Sequence, residues 1–283
     1  MPDLSGAIER ALLDIKDEWG DDKLHVSDLA VALPITERKC PRALTLRLLG
    51  MQKRPPHLGQ ILMFDHGNRI HDRIVDLLRL GLEGWRVLLV EGVVALPGDV
   101  TGRFDTLLRS DEGKEYIVDY KTVRGRAFRF MDGPRDSHVL QVRAYCLGAD
   151  ADGGILLYVD REGQNYVQQY EVFRNDDQVK GAIEVAQCYR EWAKEYARGM
   201  RFDLPSIMPP KLIINENKGP DSIKLSMPWQ CQYCDYLDVS CEGALPPEQR
   251  ISGIVGHVTD EGFRVKEGCE PVEETVKSLM GVG

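Results

Sequence analysis

The 283-residue chain has no apolar run approaching the roughly 20 residues that span a bilayer, so no membrane helix is expected. It also lacks an obvious leader: MPDLSGAIERALLDIKDEW reads as an acidic amphipathic helix, with Ala7, Leu12, Ile15 and Trp19 in apolar spacing, and a cytoplasmic protein is the expectation. Internal repeats and low-complexity segments are missing too. Proline is sparse, at 15 residues, while 43% hydrophobic and 29% charged residues describe a globular chain able to fill a core rather than a disordered one. Seven cysteines, an odd number, do not make a disulfide framework, which leaves reduced thiols or metal ligation.

Positive charge is also in short supply, and a net charge of −9 opposes broad binding to a polyanion. Its distribution is uneven. Arg38, Lys39, Arg42, Arg47, Lys53 and Arg54 follow one another with no acid between them, and Lys121, Arg124, Arg126, Arg129 and Arg135 face only Asp132, whereas both ends of the chain are acid-rich. Basic clusters on an acidic body fit a focused groove, although such clusters also occur on solvated faces.

The periodicity predicts a short helix over Ala43–Leu49 closed by Gly50, and another over residues 66–80 with Ile70, Ile74, Leu77 and Leu78 on one face. Arg54-Pro55-Pro56 connects them. Strands are predicted over Arg86–Leu96, Thr101–Arg109 and Glu115–Thr122, the last two joined by the turn-forming Ser110-Asp111-Glu112-Gly113. Ser137 is placed to cap a helix through Leu147, a hairpin follows over Ile155–Val159 and Asn165–Phe173, and Ala182–Arg198 is amphipathic. From Met200 to Cys231 proline and glycine dominate. Helices, three strands, helix, two strands and helix make a mixed α/β core with a helical flank.

On the strand ending Tyr116-Ile117-Val118-Asp119-Tyr120-Lys121, Asp119 and Lys121 leave from the same face. A carboxylate and an ammonium so placed can hold a divalent cation and orient a water beside it, and Asp105 on the neighbouring strand offers a second carboxylate. Oxygen ligands with open water positions suit Mg²⁺ or Mn²⁺. An ion pair at a strand end is the plainer reading of Asp-x-Lys by itself. His71 alone reads equally as a buried histidine beside the Ile70 and Ile74 stripe, and Glu91 as either an added acid or a solvated strand residue.

Taken together, His71 in Gly67-Asn-Arg-Ile-His71, Asp105 in Gly102-Arg-Phe-Asp105, Asp119-Tyr-Lys121 and Gln141-Val-Arg-Ala-Tyr145 resemble the ordered motifs of the PD-(D/E)XK nuclease superfamily in its RecB-like branch. The resemblance implies a restriction-endonuclease-like α/β fold, a mixed central sheet flanked by helices. It implies His71, Asp105, Asp119 and the Tyr120 backbone carbonyl as metal ligands and Lys121 as the residue that positions the attacking water. Gln141 and Tyr145, one helical turn apart, would contact the DNA backbone or order the site. Arg42, Arg124 and Arg126 would track the strand.

Cys231-Gln-Tyr-Cys234 and Cys241 bring thiols close together, and Cys40, in Lys39-Cys40-Pro41-Arg42, is the best fourth, with Cys269 as a substitute. This spacing resembles the iron–sulfur members of the RecB-like nucleases, including AddB-type domains and CRISPR-associated exonucleases. It implies a [4Fe–4S] cluster, with zinc on four cysteines as the alternative. Cys146 and Cys188 read as core thiols. The implied organisation is a helical flank at 1–60, a nuclease core at 61–200, an iron–sulfur loop at 201–245 and an acidic tail at 246–283. The implied function is a metal-dependent exonuclease on single-stranded DNA or DNA ends, in recombination and repair, phage DNA processing or CRISPR spacer processing, with nucleic-acid-processing partners. An inactive nuclease-like DNA-binding subunit and a cysteine-metal partner-binding scaffold are the alternatives.

Overall fold

The structure, a computed structural model, describes residues 23–34, 37–56, 58–125, 128, 131–161, 167–201, 203–205, 211–215, 222–226, 231, 234–236, 240–241, 253–259 and 262–265. The expected helix around Ala7 to Trp19, Arg126 and Cys269 lie outside these residues. The chain divides into two units. One takes the residues up to Lys39 with Arg47–Met51 and Pro55–Asp203; the other takes Cys40–Leu46, Gln52–Arg54 and the chain from Leu204.

The first unit is built on a mixed sheet of β1 (Leu24–His25), β2 (Trp85–Leu96), β3 (Val100–Ser110), β4 (Glu115–Val123), β5 (Gly153–Asp160) and β6 (Val167–Phe173). β2, β3 and β4 pair antiparallel in succession, β4 and β5 run parallel with Asp119 opposite Leu156, and β6 returns antiparallel on β5. The parallel pair needs a crossover, supplied by helix α3 (Asp136–Ala149). Gly154 is where that helix comes down on the sheet, since a Cβ there would stand 2.1 Å from Val142 of α3. The expected mixed sheet with flanking helices is what the chain forms.

Helix α2 (Leu58–Gly81) buries Val75 against Leu108, Val118 and Tyr120, with Ile74 and Leu78 packed alongside. Leu77, predicted on the inward face, is instead 51% exposed. The inward stripe is centred on Val75, and Leu77 lies about 200° around the helix from it. α3 starts at Asp136, so Ser137 is inside the helix rather than capping it, and its hydroxyl reaches Glu37. Helix α4 (Asp176–Ala197) is capped by Asn175, whose side chain accepts the Gln178 N–H. Its inward stripe is Val179, Ala182, Ile183, Ala186 and Ala193. Cys188 is off that stripe and exposed, which corrects its reading as a core thiol; Cys146 is fully buried.

Two elements of the first unit have no periodic signal: the two-residue β1, parallel to β3, and the 3₁₀ segment Val26–Ala32. Buried Asp28 anchors that segment by accepting the His25 N–H and pairing with Lys39 and Arg47. Burial works against its charge, but the two cations hold its carboxyl below the usual range.

Helix α1 (Pro41–Leu48) begins in the second unit. That unit also holds an antiparallel sheet of β7 (Lys211–Asn215), β8 (Ser222–Ser226), β9 (Gly253–Thr259) and β10 (Gly262–Val265), in the order β10, β9, β8, β7. Two of these strands fall in the stretch read as an acidic tail. Among the described residues no helix is long and apolar enough to cross a membrane.

Candidate active site

The site lies where β3 loses a neighbour. β2 pairs along the whole of one edge of β3, while the other edge is shared: β1 pairs at Val100 and Thr101, and β4 only from Thr106 onward. Gly102 to Asp105 lie in the interval. With no ladder partner there, the Asp105 side chain acts as one, its Oδ2 accepting the Tyr120 N–H at 2.6 Å. The N–H and C=O of a strand residue leave toward the same edge, so the Tyr120 carbonyl faces the same opening.

Alternation along β4 turns Tyr120 toward α2 and leaves Asp119 and Lys121 on the opposite face with α3. Asp119 is 2% exposed. Its Oδ2 is 2.7 Å from Lys121 Nζ, an ion pair without the geometry of a good hydrogen bond. Burial pushes its carboxyl up to about 6, against the pull of Lys121 and with a push from Asp105. From α2, His71 brings Nδ1 to 3.5 Å from Asp105 Oδ1, and its ring meets Tyr120 edge-on at 5.3 Å. Burial disfavours its charge, yet the fields of Asp105 and Asp119 prevail and raise its pKa.

A stability signature follows. Asp119 is protonated in the folded state up to about pH 6 and ionises near 3.8 when unfolded, so its contribution is complete below pH 4 and is lost as the pH rises through 6. In metal-free protein the Asp119→Asn variant should therefore gain on the wild type between pH 4 and 7, by on the order of 2–3 kcal/mol. Thermal melts of both proteins across this range check it; a constant difference in melting temperature would contradict the assignment.

Lys121 is held from a second side. Its Nζ donates to Gln141 Oε1 at 2.9 Å, and Gln141 Nε2 donates to the Tyr145 hydroxyl at 2.8 Å. Gly102 makes room for that tyrosine, since a Cβ there would meet its ring at 2.8 Å. The structure thus brings His71, Asp105, Asp119, Lys121, Gln141 and Tyr145 into one connected site. Among the described residues no three His, Cys, Asp or Glu side chains close around a metal position by themselves. Two carboxylates, an imidazole and a backbone carbonyl on an open edge are a hard, incomplete donor set, suited to a cation that keeps waters.

Sequence reasoning passed over Arg103 and left Glu91 open. Glu91 lies in β2 between Val90 and Gly92, which pair with Thr106 and Phe104, so it comes opposite Asp105. Its φ of 56° is left-handed, at a cost of about 1–2 kcal/mol for a residue with a side chain. Gly92 follows because a Cβ there would enter the Phe104 ring at 2.1 Å. The glutamate lies 2.6 Å from Arg103 Nε. Burial raises its pKa despite Arg103, and Asp105 adds to the rise. Arg103 in turn lines a cavity of about 220 Å³ with His25, Ser27, Gln141 and Tyr145. The Glu-Gly pair inside a strand was the one available signal of an irregularity.

Of the other residues singled out, Arg124 is exposed just past β4. Arg42 belongs to the second unit, where its Nε donates to the Pro205 carbonyl at 2.7 Å. The same unit contains Cys40, Cys231, Cys234 and Cys241. Burial and then the charges of Cys40, Cys234 and Cys241 push the Cys231 thiol up to about 12.

Comparison with known proteins adds to this geometry. The family model of the PD-(D/E)XK nuclease superfamily matches residues 64–241, more than half of the chain. No curated protein matches the sequence. Among solved structures, SSO0001 is similar at 19% identity and a TM-score of 0.48, over 85% of this chain and 94% of that one. An alkaline exonuclease from Laribacter hongkongensis, solved in complex with dAMP, is similar at 14% identity and a TM-score of 0.45, over 66% of this chain and 100% of that one. A phage-related exonuclease from Haemophilus somnus 129PT gives 14% identity and a TM-score of 0.44, over 63% and 96%.

Proposed function

The chain belongs to the PD-(D/E)XK nuclease superfamily, and on that premise we propose that it is a cytoplasmic, divalent-metal-dependent deoxyribonuclease acting as an exonuclease on single strands or DNA ends. The observation that carries this reading is Asp119, a buried carboxylate with one oxygen lacking a hydrogen bond, set beside Asp105, His71 and the Lys121 ammonium. A purely structural ion pair would gain nothing from that burial. The raised carboxyl is a group that a cation would return to its charged form.

Asp105, Asp119, His71 and the Tyr120 carbonyl would hold Mg²⁺ or Mn²⁺, which polarises a phosphoryl oxygen and lowers the pKa of a water. Lys121 donates one N–H to Gln141 and pairs by charge with Asp119, and its remaining N–H donors serve the attacking water or the charge developing on the phosphate. Gln141 and Tyr145 then act through Lys121, as a brace that fixes where those remaining donors aim. Tyr145→Phe should lower kcat about three- to tenfold with KM unchanged, the loss of one neutral hydrogen bond in the brace. Steady-state cleavage of a labelled oligonucleotide reads it; a rise in KM alone would mean that Tyr145 touches DNA instead. Exposed Arg124 is the described residue best placed after β4 to track the strand.

In the second unit, Cys40, Cys231, Cys234 and Cys241 are proposed to hold a [4Fe–4S] cluster. The Cys231 thiol, which burial and the neighbouring cysteine charges make costly to ionise, is what a cationic centre would stabilise. The test of the whole reading is degradation of DNA labelled at either end with Mg²⁺ or Mn²⁺, with and without chelator. Chelator-sensitive release of label supports it, the label lost first gives the polarity, and intact DNA under all conditions overturns it.

A further inference from the structure

We infer that Glu91 is a positioning residue for the DNA strand: by holding Arg103 Nε across β2 and β3, it sets the two Nη groups of that arginine to take a non-bridging oxygen of the phosphate next to the one cleaved. The inference rests on the nuclease reading of the same site and assigns it a further substrate contact.

Arg103 and Asp105 are two residues apart on β3, so their side chains share a face, and both lie in the interval that neither β1 nor β4 covers. A strand whose cleaved phosphate sits at Asp105 would run its next phosphate into the adjoining cavity. There Arg103 is the one permanent cation, among His25, Ser27, Gln141 and Tyr145. An arginine on an open edge has many rotamers. Glu91 restricts that freedom through its ion pair at Nε, and the N–H donors of Nη1 and Nη2 are what the arginine offers an anion. Glu91 stands opposite Asp105 and diagonal to Arg103, whose ladder partner is Val93, so the cross-strand geometry brings its carboxylate to the arginine. Its left-handed φ, followed by the glycine that Phe104 requires, marks a local irregularity of β2 at this point.

The test is the affinity for a fluorescein-labelled oligothymidylate, measured by anisotropy with chelator present, together with cleavage in Mg²⁺. Arg103→Ala should weaken binding about tenfold, the loss of a charged hydrogen-bonding partner. It should also reduce the slope of log Kd against log salt by about 0.7, one phosphate contact on a single strand. Glu91→Gln should weaken binding about threefold with the slope kept, because the arginine's charge remains, and should add nothing in the Arg103→Ala background. Glu91→Gly, free of the left-handed strain, should melt no lower than wild type yet bind as weakly as Glu91→Gln, an outcome that a merely structural role would not produce. Tighter binding by Glu91→Gln would show the carboxylate competing with DNA and would overturn the inference, as would additive effects or failure of the wild type to bind. If the wild type binds but does not cut in Mg²⁺ or Mn²⁺, the catalytic reading falls while the binding series still decides this one.

Discussion

Asp119→Ala should reduce cleavage of end-labelled DNA by about a thousandfold or more. Three things are lost together. The cation loses a carboxylate that is already desolvated and so binds it without further loss of water, Lys121 loses the anion 2.7 Å away that fixes its head, and Asp105 and His71 are left as an incomplete pair. Lys121→Ala should fall by a smaller factor, about a hundredfold, since it removes the donor to the water and leaves the metal ligands. Melting separates the two variants. Mn²⁺ at a hundred times its Kd should stabilise the wild type and Lys121→Ala by about 2.7 kcal/mol, and Asp119→Ala by much less. Identical cleavage by wild type and both variants would mean a contaminating nuclease and an Asp119–Lys121 pair that is only structural.

The second large effect is expected at Cys231. Cys231→Ser should empty the metal site proposed for the second unit, and structural metal centres contribute on the order of 10 kcal/mol to folding, as much as a whole domain's net stability. The variant should lose its metal and become protease-sensitive within residues 204–283, while Cys188→Ser, at an exposed thiol of α4, should change neither property. Metal and sulfide analysis of the purified wild type completes the measurement. Equimolar iron and sulfide support the cluster, zinc without sulfide replaces it with a four-cysteine zinc site, and a metal-free wild type indistinguishable from Cys231→Ser removes the centre.

The residues of the candidate site could be brought together from sequence because each sits in an element with a period. Asp119 and Lys121 could be placed on one face from the two-residue alternation of β4, and Gln141 and Tyr145 on one face of α3 from their spacing of four. Elements without a period stayed hidden. β1 has two residues, too few to alternate, yet it determines where the open interval of β3 begins. β7 to β10 are short strands among prolines and glycines, two hairpins joined by the β8–β9 pairing across residues 227–252. Leu77 and Cys188 were misplaced because a helix carries apolar residues on more than its inward stripe, and only packing shows which stripe is used. Arg103 could not be singled out from sequence at all: its meaning comes from the ion pair with Glu91, and that depends on the register of β2 on β3.

The second unit is written in separated pieces, Cys40–Leu46, Gln52–Arg54 and the chain from Leu204, with most of the first unit between them. Synthesis from the N-terminus therefore imposes a timetable. Cys40 leaves the ribosome about 10 to 40 s before Cys231 at ordinary elongation rates, and in that interval its thiol has none of the other three for company. Every residue of the candidate site, from His71 to Tyr145, has emerged by then. On the proposed reading the nascent chain can assemble its cutting machinery before its cysteine-held metal centre, and the supply of metal would act on the last step of maturation rather than the first.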